Sequence, residues 1–289
     1  MEDLAVTNLV RLMQRTAGSP EIIIGLIDGP VAMDHDALAA ENIRTVPSRN
    51  AAFCSHSGSN ACIHGTFVAG ILHARRGSAA PSICPGCTLL VRSIFVEALP
   101  RPAGAGSASA TSEELGEGIW DSVHSGAQLI NLSVGLAQSS PKGDRALEHS
   151  LDYCGRKGVI VVAAAGNQGT VGSSVITRHP WVIPAVALGK DGRPTASSNL
   201  GRSIGTQGIG APGENVTSLR ASGGFMTLSG SSVAAPFVTG AIALLWSEFP
   251  GASAARVKLA ARQASASGRA AILPALLNAS AARELMAAG

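Results

Sequence analysis

The chain has 289 residues, of which 46% are apolar, 14% charged and only 3% aromatic, with a formal net charge of +3. That apolar share supports a well-buried core in one large α/β domain or two small ones, while the mild charge and scarce aromatics argue against a nucleic-acid partner. No apolar run reaches the roughly 20 residues of a membrane span, and the acidic, polar start Met1-Glu-Asp-Leu-Ala-Val-Thr-Asn8 is unlike a signal peptide. The expectation is a cytoplasmic protein that does not meet a membrane, or a secreted one if the chain is a processed fragment.

Residues 1–19 read as one short amphipathic helix through Leu4, Leu9, Leu12 and Met13, ended by Gly18-Ser-Pro20. Residues 1–20 are therefore set apart as an N-terminal extension, with a single domain over 21–289. Glu21 to Ile27 is a near-continuous β-branched run, the pattern of a parallel strand buried on both faces. It ends at Asp28-Gly-Pro30, which puts Asp28 at the carboxyl edge of a sheet, where α/β proteins bind ligands. Residues 39–62 lack a period and read as loop, and His64-Gly-Thr66 opens a helix. A strand over 88–96, a Pro/Gly/Ala/Ser loop over 99–112 and a capping-box helix from Thr111 follow. The alternation continues with strand 128–134, a helix near 144–157, strand 159–165 and strand 181–188. After an irregular 190–228 come helices from Ser232, near 253–264 and over 279–287. Strand and helix alternate without a linker between two cores, which predicts one doubly wound α/β domain with a mainly parallel sheet and helices on both faces.

Five cysteines make an odd count. Cys154 shares a helix face with Leu147 and Leu151 and is expected as a buried free thiol. For Cys54, Cys62, Cys84 and Cys87, two disulfides rank first, free thiols second and a four-thiolate zinc site third, because the Cys54/Cys62 spacing is loose for zinc.

Three polar residues stand in three glycine-marked turns: Asp28, His64 and Ser232. Each alone has an ordinary explanation: a strand-end turn, a helix-start residue and a helix cap. Together they have a chemical one. Serine needs a base to become a nucleophile, and histidine serves as that base when a carboxylate holds its tautomer.

The surrounding motifs carry a resemblance. Asp28-Gly-Pro-Val-Ala-Met-Asp, His64-Gly-Thr-Phe-Val-Ala-Gly70, Ala164-Ala-Gly-Asn167 and Gly230-Ser-Ser-Val-Ala-Ala-Pro236 resemble the aspartate, histidine, oxyanion and serine segments of subtilases, the subtilisin-like serine proteases, in the subtilisin order Asp, His, Ser. Phe67 stands where a second histidine is common and Ser231 where threonine is usual. The resemblance implies Asp28 orienting, His64 as general base and then acid, Ser232 as nucleophile and Asn167 with the Ser232 N–H as oxyanion hole. It places a peptide or protein substrate between two edge segments, Phe95-Val96-Glu97 and Leu132-Ser133-Val134-Gly135, with uncharged Gln168 and Ser174 bordering the first specificity pocket.

Secreted subtilases carry a calcium loop after the histidine helix. The matching His73-Ala-Arg-Arg-Gly-Ser-Ala-Ala-Pro81 has no carboxylate, and Ala37 stands where a calcium-binding carboxylate is frequent. No calcium is expected there, and no other metal or cofactor. The Asp28 context, Cys84-Pro-Gly-Cys87 and Cys154 look most like proteases that mature cyanobactin-type ribosomal peptides. Only 35 residues separate Asp28 from His64, too few for the insertion of the ring-closing members. The expected activity is therefore hydrolysis by an endopeptidase that trims a ribosomal precursor peptide. The alternatives are a macrocyclase or transpeptidase of the same family, or an inactive peptide-binding pseudo-protease.

Overall fold

The computed structural model describes residues 2–48, 52–97, 110–134, 144–265 and 272–288. The chain opens with two helices, α1 (Glu2–Val6) and α2 (Leu9–Arg15), where a single one was expected. Asn8 separates them at φ 55°, and the Thr7 hydroxyl donates to the Leu4 carbonyl at 3.1 Å. Such local bonds compete with helix, and asparagine tolerates the left-handed region.

Strand β1 (Ile23–Asp28) is followed by a 3-10 turn at Ala40–Asn42, the strand β2 (Ile43–Thr45) and helix α3 (Asn60–His73). Residues 39–62, expected as loop, thus hold a strand and a helix start; β2 is too short to leave a period. The helix also begins one turn before His64, because the Ser59 hydroxyl caps it by accepting from the Cys62 N–H at 3.1 Å.

Next come β3 (Thr88–Ser93), α4 (Ser112–His124), β4 (Leu129–Leu132), α5 (Arg145–Lys157), β5 (Ile160–Ala164), α6 (Val175–Arg178) and β6 (Val182–Leu188). The capping box that begins α4 is formed: Thr111 Oγ1 accepts from Glu114 N–H at 3.1 Å, and the Glu114 carboxylate accepts from Thr111 N–H at 2.8 Å. The supposedly irregular 190–228 contains α7 (Arg202–Gln207), β7 (Ile209–Pro212) and the hairpin of β8 (Val216–Leu219) and β9 (Phe225–Leu228). Four-residue strands interrupted by Gly210 and Pro212 carry little strand signal. Helices α8 (Ser231–Glu248) and α9 (Ala254–Ala264), strand β10 (Ala275–Leu276) and helix α10 (Ala279–Ala288) complete the chain.

Eight strands form one sheet in the order β10-β7-β6-β5-β4-β1-β3-β2, every neighbouring pair parallel. Helices cover both faces, so the doubly wound α/β expectation holds. Alternate residues of one strand face opposite layers. Leu89 and Val91 join the core under α3 and α8, whereas Leu90 joins the core under α4 and α5. Helix α8 is buried almost all round, from Val233 to Trp246, as a helix inside a large core must be. Winding reverses beside β1, which lies between β4 and β3, so Asp28 ends its strand at the switch point. No helix among the described residues is long and apolar enough to cross a membrane.

The cysteines correct the two-disulfide expectation. Cys54 and Cys62 are bonded, with Cα atoms 5.5 Å apart, while Cys84 and Cys87 are free and buried. Cys84 and Cys87 instead close a tight turn, the Cys87 N–H donating to the Cys84 carbonyl at 3.0 Å. With two of the four sulfurs bonded to each other, the four-thiolate zinc alternative also falls. Cys154 is a buried free thiol as expected, pushed by burial up to about 12.

Two glycines let α3 press on the turn after β1. A methyl at Gly29 would lie 2.0 Å from the Ala61 carbonyl oxygen, and one at Gly65 would lie 2.4 Å from that of Gly29. Gly65→Ala is expected to cost about 1–3 kcal/mol of stability through overpacking. Gly58→Ala, whose methyl meets nothing within 4 Å, should stay within about 0.5 kcal/mol of the parent. Denaturant unfolding of the two variants checks the contrast, and equal losses would contradict the close approach.

At the far end of α3, His73 is fully buried, donating from Nε2 to the Cys87 carbonyl at 2.7 Å while Nδ1 has no partner. Burial lowers its pKa to about 4, against about 6.5 for a free imidazole. Between these values the unfolded chain binds more protons than the folded one. Stability therefore falls as pH drops from about 6.5 toward 4, by at most about 1.4 kcal/mol per pH unit, and this loss stops below the folded value. Urea midpoints measured across that window should fall less steeply for His73→Gln than for the parent; parallel curves would refute the assignment.

Candidate active site

The carboxyl edge of the sheet collects the polar residues singled out in the sequence. Asp28 is the last residue of β1 and is fully buried. Its Oδ1 accepts from the Gly29 N–H at 2.6 Å and from His64 Nδ1 at 2.7 Å, while buried Oδ2 has no partner among the described residues. A proton held on Nδ1 leaves Nε2 as the basic nitrogen. Burial alone would lower the His64 pKa, but the charge of Asp28 and the hydrogen bond to it outweigh this and raise it.

Ser232 is the second residue of α8, on a cleft of about 340 Å³ that it shares with His64, Asn167, Phe95, Ser133 and Gln168. No hydrogen bond joins Ser232 Oγ to His64 among the described residues, and catalytic bonds of this kind are often long before substrate arrives. The neighbouring Ser231 has a different task. Its hydroxyl accepts from the Gly166 N–H at 3.0 Å, and its N–H donates to Asn167 Oδ1 at 2.7 Å. Holding Oδ1 in this way leaves the Asn167 amide N–H₂ as the end available to a ligand. The Ser232 N–H lies in the first turn of α8, where helix donors have no internal acceptor. These two donors can meet a developing oxyanion.

A buried polar chain, not anticipated from the sequence, supports Ser232. Thr239 Oγ1 donates to Asn131 Oδ1 at 2.8 Å, Asn131 Nδ2 to Ser133 Oγ at 2.7 Å, and Ser133 Oγ to the Ser232 carbonyl at 3.0 Å. It ties the end of β4 to the first turn of α8. The one hint in the sequence is polar Asn131 inside an apolar strand. A second unforeseen residue, Asn199, holds the segment after Asn167, accepting from Gln168 N–H at 2.9 Å and donating to Gln168 Oε1 at 2.6 Å. Gly166 is required there: it has φ 105°, and a methyl would lie 2.2 Å from Asn199 Nδ2.

The expected substrate-contact residues divide. Phe95, Ser133, Val134 and Gln168 line the cleft, whereas the Leu132 side chain lies in the core under α4 and α5. Val96 is exposed. The Glu97 carboxylate turns away to accept from the N–H groups of Ser55 and His56, at 2.9 and 3.1 Å, bracing the disulfide loop. Ser174 caps α6, accepting from Thr177 N–H at 3.2 Å, and does not line the cleft. Gly135 lies outside the described residues. Asn60 and Ala61, hidden by the misplaced helix start, line the cleft beside His64.

The sequence profile of the subtilase family matches residues 19–278. Subtilisin DY of Bacillus licheniformis is 30% identical over 240 residues, 81% of this chain and 80% of that protein. Among solved structures, the protease domain of PatA superposes with a TM-score of 0.85 at 31% identity, covering 94% of this chain and 97% of that one. The prenylagaramide maturation protease PagA gives 0.84 at 29% identity, covering 96% and 98%. The match runs through all four motif segments and the sheet that carries them: the chain belongs to the subtilase family of serine endopeptidases.

Proposed function

We propose that this endopeptidase trims precursor peptides by hydrolysis, with Asp28, His64 and Ser232 as its triad and Asn167 in its oxyanion hole. The observation that carries the reading is the Asp28–His64 bond beneath a cleft also lined by Ser232 and Asn167. The similarity to PagA, a maturation protease, supports the substrate class. His64 Nε2 takes the Ser232 proton as Oγ adds to the scissile carbonyl. The Asn167 amide and the Ser232 N–H bind the oxyanion, and His64 returns the proton to the departing amine. Water, deprotonated by His64, then releases the acyl group and restores the serine. Among the described residues, the cleft lining carries no titratable side chain besides His64, which suits an uncharged residue before the cut. The short span between Asp28 and His64 favours water over a peptide amine as the second nucleophile.

The reaction is also proposed to need no calcium at the loop after α3. There the Arg76 guanidinium donates to the carbonyls of Met13, Thr16 and Ile83. A side-chain cation thus serves the carbonyl oxygens that a hard metal ion would otherwise seek.

Mass spectrometry of a peptide library incubated with the protein should show linear products that Ser232→Ala does not form. Asn167→Ala should lower kcat by about 10²–10³, a magnitude that itself comes from a subtilisin. A chelator should leave the rate unchanged. Cyclic products would move the reading to transpeptidation, and no Ser232-dependent cleavage would leave a pseudo-protease.

The raised His64 pKa sets the acid limb of the pH–rate profile. Activity needs the neutral imidazole, so kcat/KM should fall with acid around an inflection above about 6.5, the ordinary histidine value. Asp28→Asn should move that inflection down and lower kcat by roughly 10⁴, as for the equivalent change in another serine protease. A parent inflection below the ordinary value would overturn the assignment of Asp28 as the controlling charge.

A further inference from the structure

A second cavity, of about 580 Å³, lies at the opposite edge of the sheet from the catalytic cleft. Gln128 and Val159, which immediately precede β4 and β5, form its floor, and the ends of α4 and α5 face the α8–α9 connection across it. Beside it stands a half-buried aromatic shelf, in a chain with one tyrosine and three tryptophans. Trp120 and Tyr153 stack at 4.0 Å and 14°, His124 stacks on Trp120 at 5.4 Å, and Arg156 and Lys157 stand 5.8 and 5.7 Å from the Tyr153 ring.

The charge there is one-sided. Among the described residues, no carboxylate lines the cavity. On the adjoining helices Asp121, Glu148 and Asp152 are engaged with Arg92, Arg178 and His179, and the other acidic residues of α4 lie in its first half. Arg156 and Lys157 are exposed and have no ion-pair partner among the described residues. Last-turn cations ordinarily offset a helix dipole, but that dipole amounts to about half a charge, against two formal charges here. Gln128 spends its oxygen on the Ile23 N–H at 3.3 Å, which leaves its N–H₂ for a ligand. An acceptor-only partner with an apolar stem matches this lining.

We propose that this groove docks an acidic peptide segment, with carboxylates on Arg156, Lys157 and Gln128 and aliphatic stems against Tyr153 and Trp246. A nucleic-acid strand suits it less, because the rings already stack on one another and two cations cannot track a phosphate backbone. Resting on the peptide-processing function proposed above, the segment is a part of the substrate remote from the cut. Docking there adds affinity without touching the reacting bond, and like a second binding module it raises the local concentration of substrate at the cleft.

Fluorescence anisotropy with the Ser232→Ala protein tests docking in the absence of cleavage. The probes are a labelled glutamate-rich peptide, its glutamine counterpart and a labelled single-stranded oligonucleotide. The glutamate peptide alone should bind saturably, and adding Arg156→Glu with Lys157→Glu should weaken it by about tenfold or more. In the active protein the same pair of substitutions should leave cleavage of a short neutral peptide unchanged, which shows that the variant is folded. Absent binding, or equal binding by the charge-reversed variant, overturns the proposal. So does oligonucleotide binding that the same substitutions abolish, which would assign the groove to nucleic acid. Saturable docking without any Ser232-dependent cleavage would overturn the proposed function and leave the docking site standing.

Discussion

Burial of α8 against the parallel sheet is the constraint on which the rest of the molecule depends. The helix is buried on nearly every side from Val233 to Trp246, with Thr239 bonded to Asn131, so it has no solvent face to choose. Its first turn consequently projects to one place, the carboxyl edge of β4 and β5. There Ser231 is held by Gly166 and Asn167, and the Ser232 carbonyl by Ser133. Pro236, the sixth residue of this helix, lacks the N–H that would reach the Ser232 carbonyl, and that carbonyl accepts from Ser133 Oγ instead. Ser232, at the start of such an element, is positioned by the whole core rather than by a loop.

The acid–base pair is built by a different route. β1 carries Asp28 to the switch point, and the close backbone approach of Gly29 and Gly65 brings His64 onto it. One oxygen of Asp28 accepts from two donors, the Gly29 N–H and His64 Nδ1. The carboxylate charge and its hydrogen bond together raise the His64 pKa against the effect of burial.

Charge is arranged differently at the two edges of the sheet. Among the described residues, the cleft beside Ser232 is lined by no ionisable side chain except His64, which suits uncharged peptide. The opposite edge carries uncompensated cations and stacked rings. That separation lets selectivity for a distant acidic segment vary without disturbing the chemistry.

The alternation of apolar runs and amphipathic segments was enough to read a doubly wound α/β domain, and the motif order Asp28, His64, Ser232 was enough to read a subtilase. Both survive because they rest on local patterns: strand periodicity, turn glycines and short motifs. The three-residue β2 and the Gly- and Pro-interrupted β7 were not legible, since such strands are stabilised by neighbours and not by their own propensity. The helix start at Asn60 depended on one cap, Ser59, within an otherwise featureless stretch. Cysteine pairing was equally out of reach, because spacing allows several partners and only the fold brings Cys54 within 5.5 Å of Cys62 while leaving Cys84 and Cys87 apart from them. The roles of Asn131, Ser133 and Asn199, and the turning of Glu97 away from the cleft, are contacts between residues distant in the chain. The sequence alone determined which chemistry this protein carries, since that lives in residue type and motif. The tertiary structure decided which polar groups support that chemistry, because hydrogen bonds are set by distance in space and not by distance along the chain.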